Sequence, residues 1–194
     1  MVKPLQIVKI IQLFKNEEKL IKKAIQNNRE AQQRLYHIHA PKMLSVCRYY
    51  IRDLQFAEEA MLNGFLKVFT NLNKFENKGS FEGWIRRIMI RESISFLRKK
   101  QQIEFVTDEF EFKKTTINTV YADMHAAEIQ NLIDALPDGY RIVFVMYAIE
   151  GYKHQEIATL LNITEGTSKS QLFKARKILQ KKIIKLNKTS NGAL

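Results

Sequence analysis

The sequence contains few of the residues that break helices or cross-link chains. Its 194 residues include one cysteine, three prolines and seven glycines. One cysteine excludes an internal disulfide and indicates a reducing compartment, and so few glycines and prolines disfavour a turn-rich β fold. There is no glycine-rich phosphate loop and no apolar run of membrane-spanning length. The sequence therefore predicts an all-α protein in which Cys47 is a small buried apolar residue.

Positive charge is in excess and is unevenly distributed. The chain carries 32 Lys and Arg against 20 Asp and Glu, a net charge of +12. Residues 101–124 reverse this balance, with five acidic and two basic residues. Because solubility alone does not need so basic a chain, the excess indicates a polyanionic partner such as nucleic acid. The acidic stretch also lacks a helical period, so it is predicted to be a flexible linker between two domains.

Apolar residues recur at helical spacing on both sides of this linker. Pro41 is expected in the first turn of a helix, where its missing N–H costs little, and Ser80 is expected to cap another. Two asparagines at 27–28 could divide the first helix. The periodicity predicts helices at about 18–39, 41–52, 55–73, 80–100, 125–136, 138–150, 154–161 and 165–186. The predicted architecture is two small helical domains, residues 1–100 and 125–186, the second a four-helix domain with a helix-turn-helix, followed by a disordered tail at 187–194.

The segment 151–179 has the features of a helix-turn-helix. Asn162 suits the left-handed turn between the helices, and Thr164 can cap the second helix. On that helix Leu172 and Leu179 share an apolar arc, and the opposite arc is polar and basic. Hydroxyl, amide and ammonium groups in this position suit the DNA major groove and its phosphates. The predicted DNA-reading residues are Thr167, Lys169, Ser170, Gln171, Lys174, Arg176 and Lys177.

A second polar pattern lies on the helix predicted at 80–100. Trp84 and three arginines fall on a stripe about 60° wide by helical periodicity. Arginine holds phosphate and an aromatic ring stacks on exposed bases, so the stripe suits opened DNA, although Trp84 taken alone is more simply interpreted as buried. The preceding loop, at the helix N-terminus, could hold a phosphate or a base. The predicted residues are Phe75, Asn77, Lys78, Ser80, Trp84, Arg87, Arg91, Ser95 and Arg98.

Together these segments resemble the sigma factors of bacterial RNA polymerase, in the short two-domain extracytoplasmic-function (ECF) group. The strings "FEGWIRRI…FLRK" and "EIATLL…EGTSKSQLFKAR" carry the resemblance, which covers roughly residues 18–182. It implies that residues 1–100 bind core RNA polymerase and open the promoter −10 element, and that residues 125–186 read the −35 duplex. Residues 101–124 would lie along the RNA exit path. The resemblance further implies a cytoplasmic protein without catalysis or cofactor, with promoter DNA and an anti-sigma factor as partners.

The resemblance also places the polymerase contact on the helix predicted at 55–73, against a coiled coil of the largest subunit. The sequence departs from the family pattern there, because Leu62 and Asn63 replace the usual glutamine and acid. The implied contact residues are Glu58, Glu59, Leu62, Asn63 and Leu66.

Four further positions depart from the family pattern. Arg91 replaces an asparagine of the −10 helix, and Ser168 replaces an apolar residue that packs against the turn. Lys153 stands where a capping serine is common, a loss of about 1 kcal/mol at most. Gln171 replaces a frequent arginine. Because glutamine favours adenine over guanine, we expect Gln171→Arg to change the −35 base preference.

Two other interpretations fit parts of the sequence. A helix-turn-helix repressor or activator would bind an operator duplex without polymerase, although no dimerisation helix is evident. An enzyme acting on nucleic acid would need a metal or acidic cluster, and the four histidines are scattered. We therefore expect no metal and no small-molecule substrate. The apolar segment 5–14 is interrupted by Lys9 and Gln12, so we expect neither a secretion signal nor membrane insertion, and it would pack on the first domain or bind a partner.

Overall fold

A computed structural model of the protein describes residues 16–100 and 126–191, and these residues form helices without a β-strand. The chain divides into two compact units, the first ending at Phe96 and the second starting at Leu97. The all-α prediction is confirmed. The predicted linker at 101–124 and the segment 5–14 lie outside the described residues, so the predicted domain bounds stay a prediction.

The first unit is built from α1 (residues 16–25), α2 (Arg29–Tyr50), α3 (Leu54–Thr70) and, as far as Phe96, α4 (Phe81–Lys100), with a 3₁₀ turn at Leu72–Lys74. The two asparagines do separate α1 from α2. Asn27 adopts a positive φ of 60°, and the Asn28 side chain accepts the Ala31 amide N–H at 2.9 Å. Asn28 thereby caps α2.

The expected helix start at Pro41 is wrong, because Pro41 lies inside α2. An interior proline removes one helical hydrogen bond and crowds the preceding turn, at a cost of about 3 kcal/mol. The buried face of α2 nevertheless continues across it, from Leu35 through His39 to Met43 and Tyr50. Burial of this continuous face offsets the backbone cost of Pro41. The apolar periodicity of the sequence does not show which of these two free energies is larger.

The core of the first unit forms where α2, α3 and α4 meet. Met43, Cys47, Ile85 and Met89 are fully buried there. Burial raises the pKa of the Cys47 thiol to about 11, so the thiol is neutral at pH 7. Cys47 is therefore a buried apolar residue, as predicted.

The second unit contains α5 (Ala126–Asp134), α6 (Asp138–Phe144), a π-helical turn (Val145–Ile149), α7 (His154–Leu161) and α8 (Glu165–Asn191). Gly151, with a φ of +76°, follows the π-helical turn in the left-handed conformation that glycine commonly adopts at a helix end. Since α8 continues to Asn191, it extends into the segment predicted as a disordered tail. The core of the second unit joins α5 to α8 through Leu132, Leu136, Ala175 and Leu179.

Among residues 16–100 and 126–191, no helix has the length and apolar character that crossing a bilayer needs.

Candidate nucleic-acid interface

The turn between α7 and α8 has the predicted geometry. Asn162 adopts φ 56° and ψ 50°, the left-handed conformation that asparagine tolerates better than most residues. The Thr164 hydroxyl accepts the Thr167 amide N–H at 3.0 Å and so caps α8. Lys153 does not cap α7 with its side chain, but its own amide donates to the Glu156 carboxylate at 2.7 Å. The helix-turn-helix is therefore formed as the sequence indicates.

The apolar arc of α8 is also as predicted, with Leu172 and Leu179 buried. The opposite arc differs from the prediction. Thr167, Ser170 and Gln171 were expected to face the DNA, and all three are buried, Gln171 completely with 0% of its surface exposed. The prediction that these three side chains lie on an exposed face is therefore wrong.

Short polar side chains can satisfy themselves within their own helix, and two of these three do. The Ser170 hydroxyl donates to the Thr167 carbonyl at 3.0 Å, and the Thr167 hydroxyl lies 2.8 Å from that of Thr164. Gln171 lies three residues after Ser168 and four before Ala175, both fully buried, which places it on the same side of the helix. A helical wheel predicts the direction of each side chain around the helix axis. It does not predict which residues of other elements cover that side chain.

The basic residues of α8 remain nearer the surface. Lys177 is exposed, and Lys169, Lys174 and Arg176 are half-buried. Phe173 was missed by the sequence analysis and has 37% of its surface exposed, midway between Lys169 and Lys177 at four-residue spacing. An aromatic residue placed regularly among lysines was the signal that could have identified it. The exposed part of α8 is thus basic and aromatic rather than rich in hydroxyls.

Ser168, one of the two departures from the family pattern within α8, has a specific partner. Its hydroxyl oxygen lies 2.9 Å from His154 Nδ1, at the start of α7. The His154 ring stacks on Tyr147, with centroids 4.6 Å apart and planes at 23°. Burial, assisted by the nearby Lys169 charge, lowers the pKa of His154. A neutral imidazole and a serine therefore bridge the two helices where an apolar contact is usual.

In the first unit, the loop 75–80 is shaped by two residues of positive φ, Asn77 at 55° and Gly79 at 95°. Ser80 accepts the Gly83 amide N–H at 3.0 Å and caps α4, as predicted. Lys78 pairs with Glu76 at 2.7 Å on the exposed tip of the loop. Asn77, Lys78 and Ser80 are all exposed.

Three aromatic rings pack at the base of this loop. The Phe75 ring lies 5.1 Å from Phe81 and 5.6 Å from Trp84, and Phe81 stacks on Trp84 at 5.9 Å with an interplanar angle of 18°. These separations lie in the favourable range of about 4.5–7 Å. Phe81 is buried, whereas Phe75 and Trp84 are half-buried. Each of the two partly exposed rings can present a face to a further aromatic group.

A cavity of about 460 Å³ opens beside the same loop. This volume is in the range of about 300–1,000 Å³ in which small-molecule sites occur. One wall comes from α1, which the sequence analysis did not connect with the loop. The Glu17 carboxylate fixes this wall through its bond of 2.9 Å to the buried His39 Nε2. The cavity is lined by Glu17, Glu18, Ile21, Phe75, Asn77, Gly79, Ser80 and Phe81.

Along α4 the predicted stripe starts from the aromatic cluster. Arg87, Arg91 and Arg98 are exposed, and Ser95 is half-buried. The structure thus places Arg87 and Arg91 in the first unit, on the helix that begins at the loop. Arg98 belongs to the second unit, where its guanidinium donates to the Leu160 carbonyl at 3.0 Å. Exposed guanidiniums near stackable rings can hold the backbone of a single strand while its bases meet the rings.

The predicted polymerase-contact residues form one exposed stripe on α3. Glu58, Glu59, Leu62, Asn63 and Leu66 are all exposed, and Leu66 has 64% of its surface accessible. Apolar residues this exposed are informative when they recur at four-residue spacing beside acids. The opposite side of α3 is buried through Ala57, Ala60 and Phe65. The stripe is therefore free of the unit's own core.

Two family models match the sequence. The Sigma-70 region 2 model matches residues 35–103, and the Sigma-70, region 4 model matches residues 126–179. Together they cover more than half of the chain. The first matched range contains α3, the loop 75–80 and the arginine stripe, and the second contains the helix-turn-helix.

Whole proteins and a solved structure are similar as well. The sequence is 26% identical over 179 residues to the ECF RNA polymerase sigma factor SigW of Bacillus subtilis strain 168, covering 86% of this chain and 96% of that protein. It is 22% identical over 178 residues to the RNA polymerase sigma-H factor of Pseudomonas aeruginosa, covering 85% and 92%. The fold is similar to that of the sigma factor RpoE of Bartonella quintana, solved in complex with the anti-sigma factor NepR. That match has a TM-score of 0.51 at 17% identity and covers 77% of this chain and 94% of that one.

Proposed function

The chain belongs to the sigma-70 family, in its ECF group, and acts with core RNA polymerase on promoter DNA to direct transcription initiation; from this premise we propose how its two units divide the work. The first unit holds the opened −10 strand, and α8 of the second reads the −35 duplex. The observation that carries the proposal is the loop 75–80, where half-buried aromatic rings, a cavity and a helix of exposed arginines meet.

Opening the −10 element requires bases to leave the stack, at a cost of a few kcal/mol per base. Stacking on an aromatic side chain returns about 1–3 kcal/mol per base. Phe75 and Trp84 supply partly exposed rings, and the cavity beside the loop offers a place for an unstacked base. Arg87 and Arg91 would hold the phosphates of the same strand. The proposed −10 residues are those predicted within the first unit, with Glu17 and Glu18 of α1 added as cavity wall.

For the −35 element, the structure favours a revised set of contacts. Lys169, Lys174, Arg176 and Lys177 would hold phosphates or base edges, and Phe173 would contact the methyl group of a thymine. Thr167, Ser170 and Gln171 would instead shape the helix from within. The Gln171→Arg variant is accordingly expected to disturb packing of α8 more than to change base preference.

The α3 stripe is proposed to dock on core polymerase through Leu62 and Leu66, with Glu58 and Glu59 complementing basic residues of the partner. In this proposal the chain catalyses no covalent step and needs no cofactor, since the core enzyme carries out polymerisation. We propose that it acts in the cytoplasm and that, like RpoE with NepR, it is held by an anti-sigma partner. Residues 101–124 would follow the RNA exit path, where their acidic charge mimics RNA.

The proposal is tested by run-off transcription with core polymerase on a promoter library randomised at both elements. We expect the chain to select two short motifs at promoter spacing. Transcription without motif selection would contradict promoter reading. A gel shift with and without core polymerase separates this function from that of a free duplex-binding regulator, which would bind tightly and specifically alone.

Matched variants then assign the surfaces. Arg87→Ala and Arg91→Ala should slow open-complex formation and lower the salt slope of promoter binding by about one each. The control is Arg34→Ala, which replaces an exposed arginine of α2 that pairs with Glu30 at 2.7 Å. This variant should leave the rate of open-complex formation and the salt slope unchanged.

Leu66→Ser should weaken polymerase binding about tenfold, a typical effect of losing an interface anchor. Ile38→Ser, at an equally apolar position with 56% of its surface exposed, is its control.

A further inference from the structure

The Arg176 side chain of α8 rests over the ring of Tyr147. Its guanidinium carbon lies 5.6 Å from the ring centroid. That distance is within the range of about 6 Å over which an aromatic face attracts a cation. Tyr147 comes from the π-helical turn Val145–Ile149, so the contact joins two separate elements of the second unit.

Besides Arg176, the Tyr147 ring contacts a second residue. It stacks on His154, the first residue of α7, at 4.6 Å. His154 in turn bonds through Nδ1 to the fully buried Ser168. The contacts therefore leave α8 at Ser168, pass through two stacked rings, and return to α8 at Arg176, about two helical turns later. We call these four residues the ring staple.

A long arginine side chain loses rotamer entropy when it becomes fixed on a ligand. A side chain that already rests in its bound position loses less, and the affinity is correspondingly higher. Arg176 is half-buried on the flank of α8, where Lys169 lies two turns earlier on the same side. The cationic end of Arg176 thus lies on the same side of the proposed DNA-facing helix as a second basic residue, Lys169.

We propose that Tyr147 is a positioning residue for −35 recognition: it holds the Arg176 guanidinium in place for a DNA phosphate, and His154, fixed by Ser168, holds the Tyr147 ring. This inference rests on the proposed reading of the −35 duplex by α8. It assigns a role to Ser168 and Tyr147 that differs from direct DNA contact. The ring, and not the tyrosine hydroxyl, is the group that acts.

The test uses holoenzyme, formed from the full chain and core polymerase, on a promoter whose activity depends on its −35 element. Arg176→Ala should weaken promoter binding about tenfold and lower the salt slope by about one. Tyr147→Leu should weaken binding about two- to fivefold, the value of a partly exposed cation–ring contact. Tyr147→Phe keeps the ring and should bind as the parent does. The double variant Tyr147→Leu, Arg176→Ala should bind no worse than Arg176→Ala alone.

The outcomes separate the two proposals. An Arg176→Ala variant that binds normally would contradict the −35 contact itself, and the positioning role with it. Normal binding by Tyr147→Leu, or additive losses in the double variant, would overturn the positioning role while leaving −35 reading by α8 intact. A loss in Tyr147→Phe equal to that in Tyr147→Leu would mean that the hydroxyl acts instead, which also overturns it.

A substitution that only loosens the fold is distinguished by a graded series. Replacing Tyr147 with phenylalanine analogues of increasing fluorination withdraws charge from the ring face while preserving its shape. Promoter affinity should fall progressively along this series with the unfolding temperature unchanged, and a flat series would contradict the cation contact. This series also serves if Tyr147→Leu fails to fold.

Discussion

Gly64 of α3 lies beneath the side chain of Met89 in α4, so closely that a Cβ at position 64 would overlap the Met89 sulfur. Both residues are buried. The absence of a side chain at Gly64 therefore lets the two helices pack closely. One of these helices carries the exposed α3 stripe, and the other carries the exposed arginines of α4.

Gly64→Ala is expected to destabilise the first unit by about 1–3 kcal/mol, the usual cost of overpacking a core. Thermal unfolding followed by circular dichroism measures the loss. Gly166→Ala is the matched control, because its added Cβ would meet only Thr164 Oγ1 at 3.7 Å, and alanine there should be neutral or stabilising. Shortening Met89 in the Gly64→Ala background should cost less than in the parent; equal costs would mean that the two residues do not share the space.

Pro41→Ala is expected to stabilise the protein. Pro41 is exposed within α2, so alanine adds an amide N–H for the helix without removing a core contact. The gain should be about 1–3 kcal/mol, reduced by the greater freedom of the unfolded alanine chain. Urea unfolding gives the value directly, and Gln33→Ala at another exposed position of α2 is the control. An unchanged or lower stability would show that α2 is kinked to accommodate the ring.

Cys47 should resist thiol reagents in the folded protein. Its pKa of about 11 leaves almost no thiolate at neutral pH, and the side chain is fully buried. Its modification rate should therefore follow unfolding and accelerate with denaturant. Rapid labelling in buffer at a rate independent of denaturant would contradict the burial. Cys47→Ser, which places a hydroxyl in the same space, should lower the unfolding temperature.

Acid should weaken the second unit through His154. Its folded pKa lies below the ordinary value of 6.5, chiefly because of burial, so the unfolded chain binds more protons between these two values. The stabilisation is complete above pH 6.5 and is lost as pH falls through the lowered pKa. Unfolding temperatures at about pH 7.5 and 5.5 measure it. His154→Gln should show a smaller fall than the parent, and equal falls would assign the effect to other groups.

Local signals in the sequence predicted the local structure well. Asn162 at a left-handed turn and Ser80 as a cap each follow from the conformational or hydrogen-bonding preference of one residue, and each is observed. The α3 residues implied by family resemblance are exposed, and their contact with polymerase stays a prediction. These features need no knowledge of distant parts of the chain, which is why a sequence suffices for them.

Apart from Phe173, the features that the sequence did not predict involve contacts between residues distant in sequence, or a balance between opposing free-energy contributions. Burial of Gln171 depends on what covers α8, and periodicity does not contain that information. The wall that α1 contributes to the cavity depends on Glu17 meeting His39, 22 residues away in sequence. Pro41 required weighing a local backbone cost against burial of a whole helix face. The aromatic stack between Tyr147 and His154 likewise arises only once the chain has turned at Gly151.

The π-helical turn Val145–Ile149 has a consequence for how relatives of this chain should be compared. Its bond from the Glu150 amide to the Val145 carbonyl, 3.0 Å long, spans five residues where an α-helix spans four. One residue is in effect inserted into the helix, and deleting it would rotate all that follows by about 100°. The Tyr147 ring would then lose its contact with the Arg176 guanidinium, although both residues were still present in the sequence. A single-position gap between Pro137 and Gly151 in an alignment would therefore mark chains that lack the ring staple.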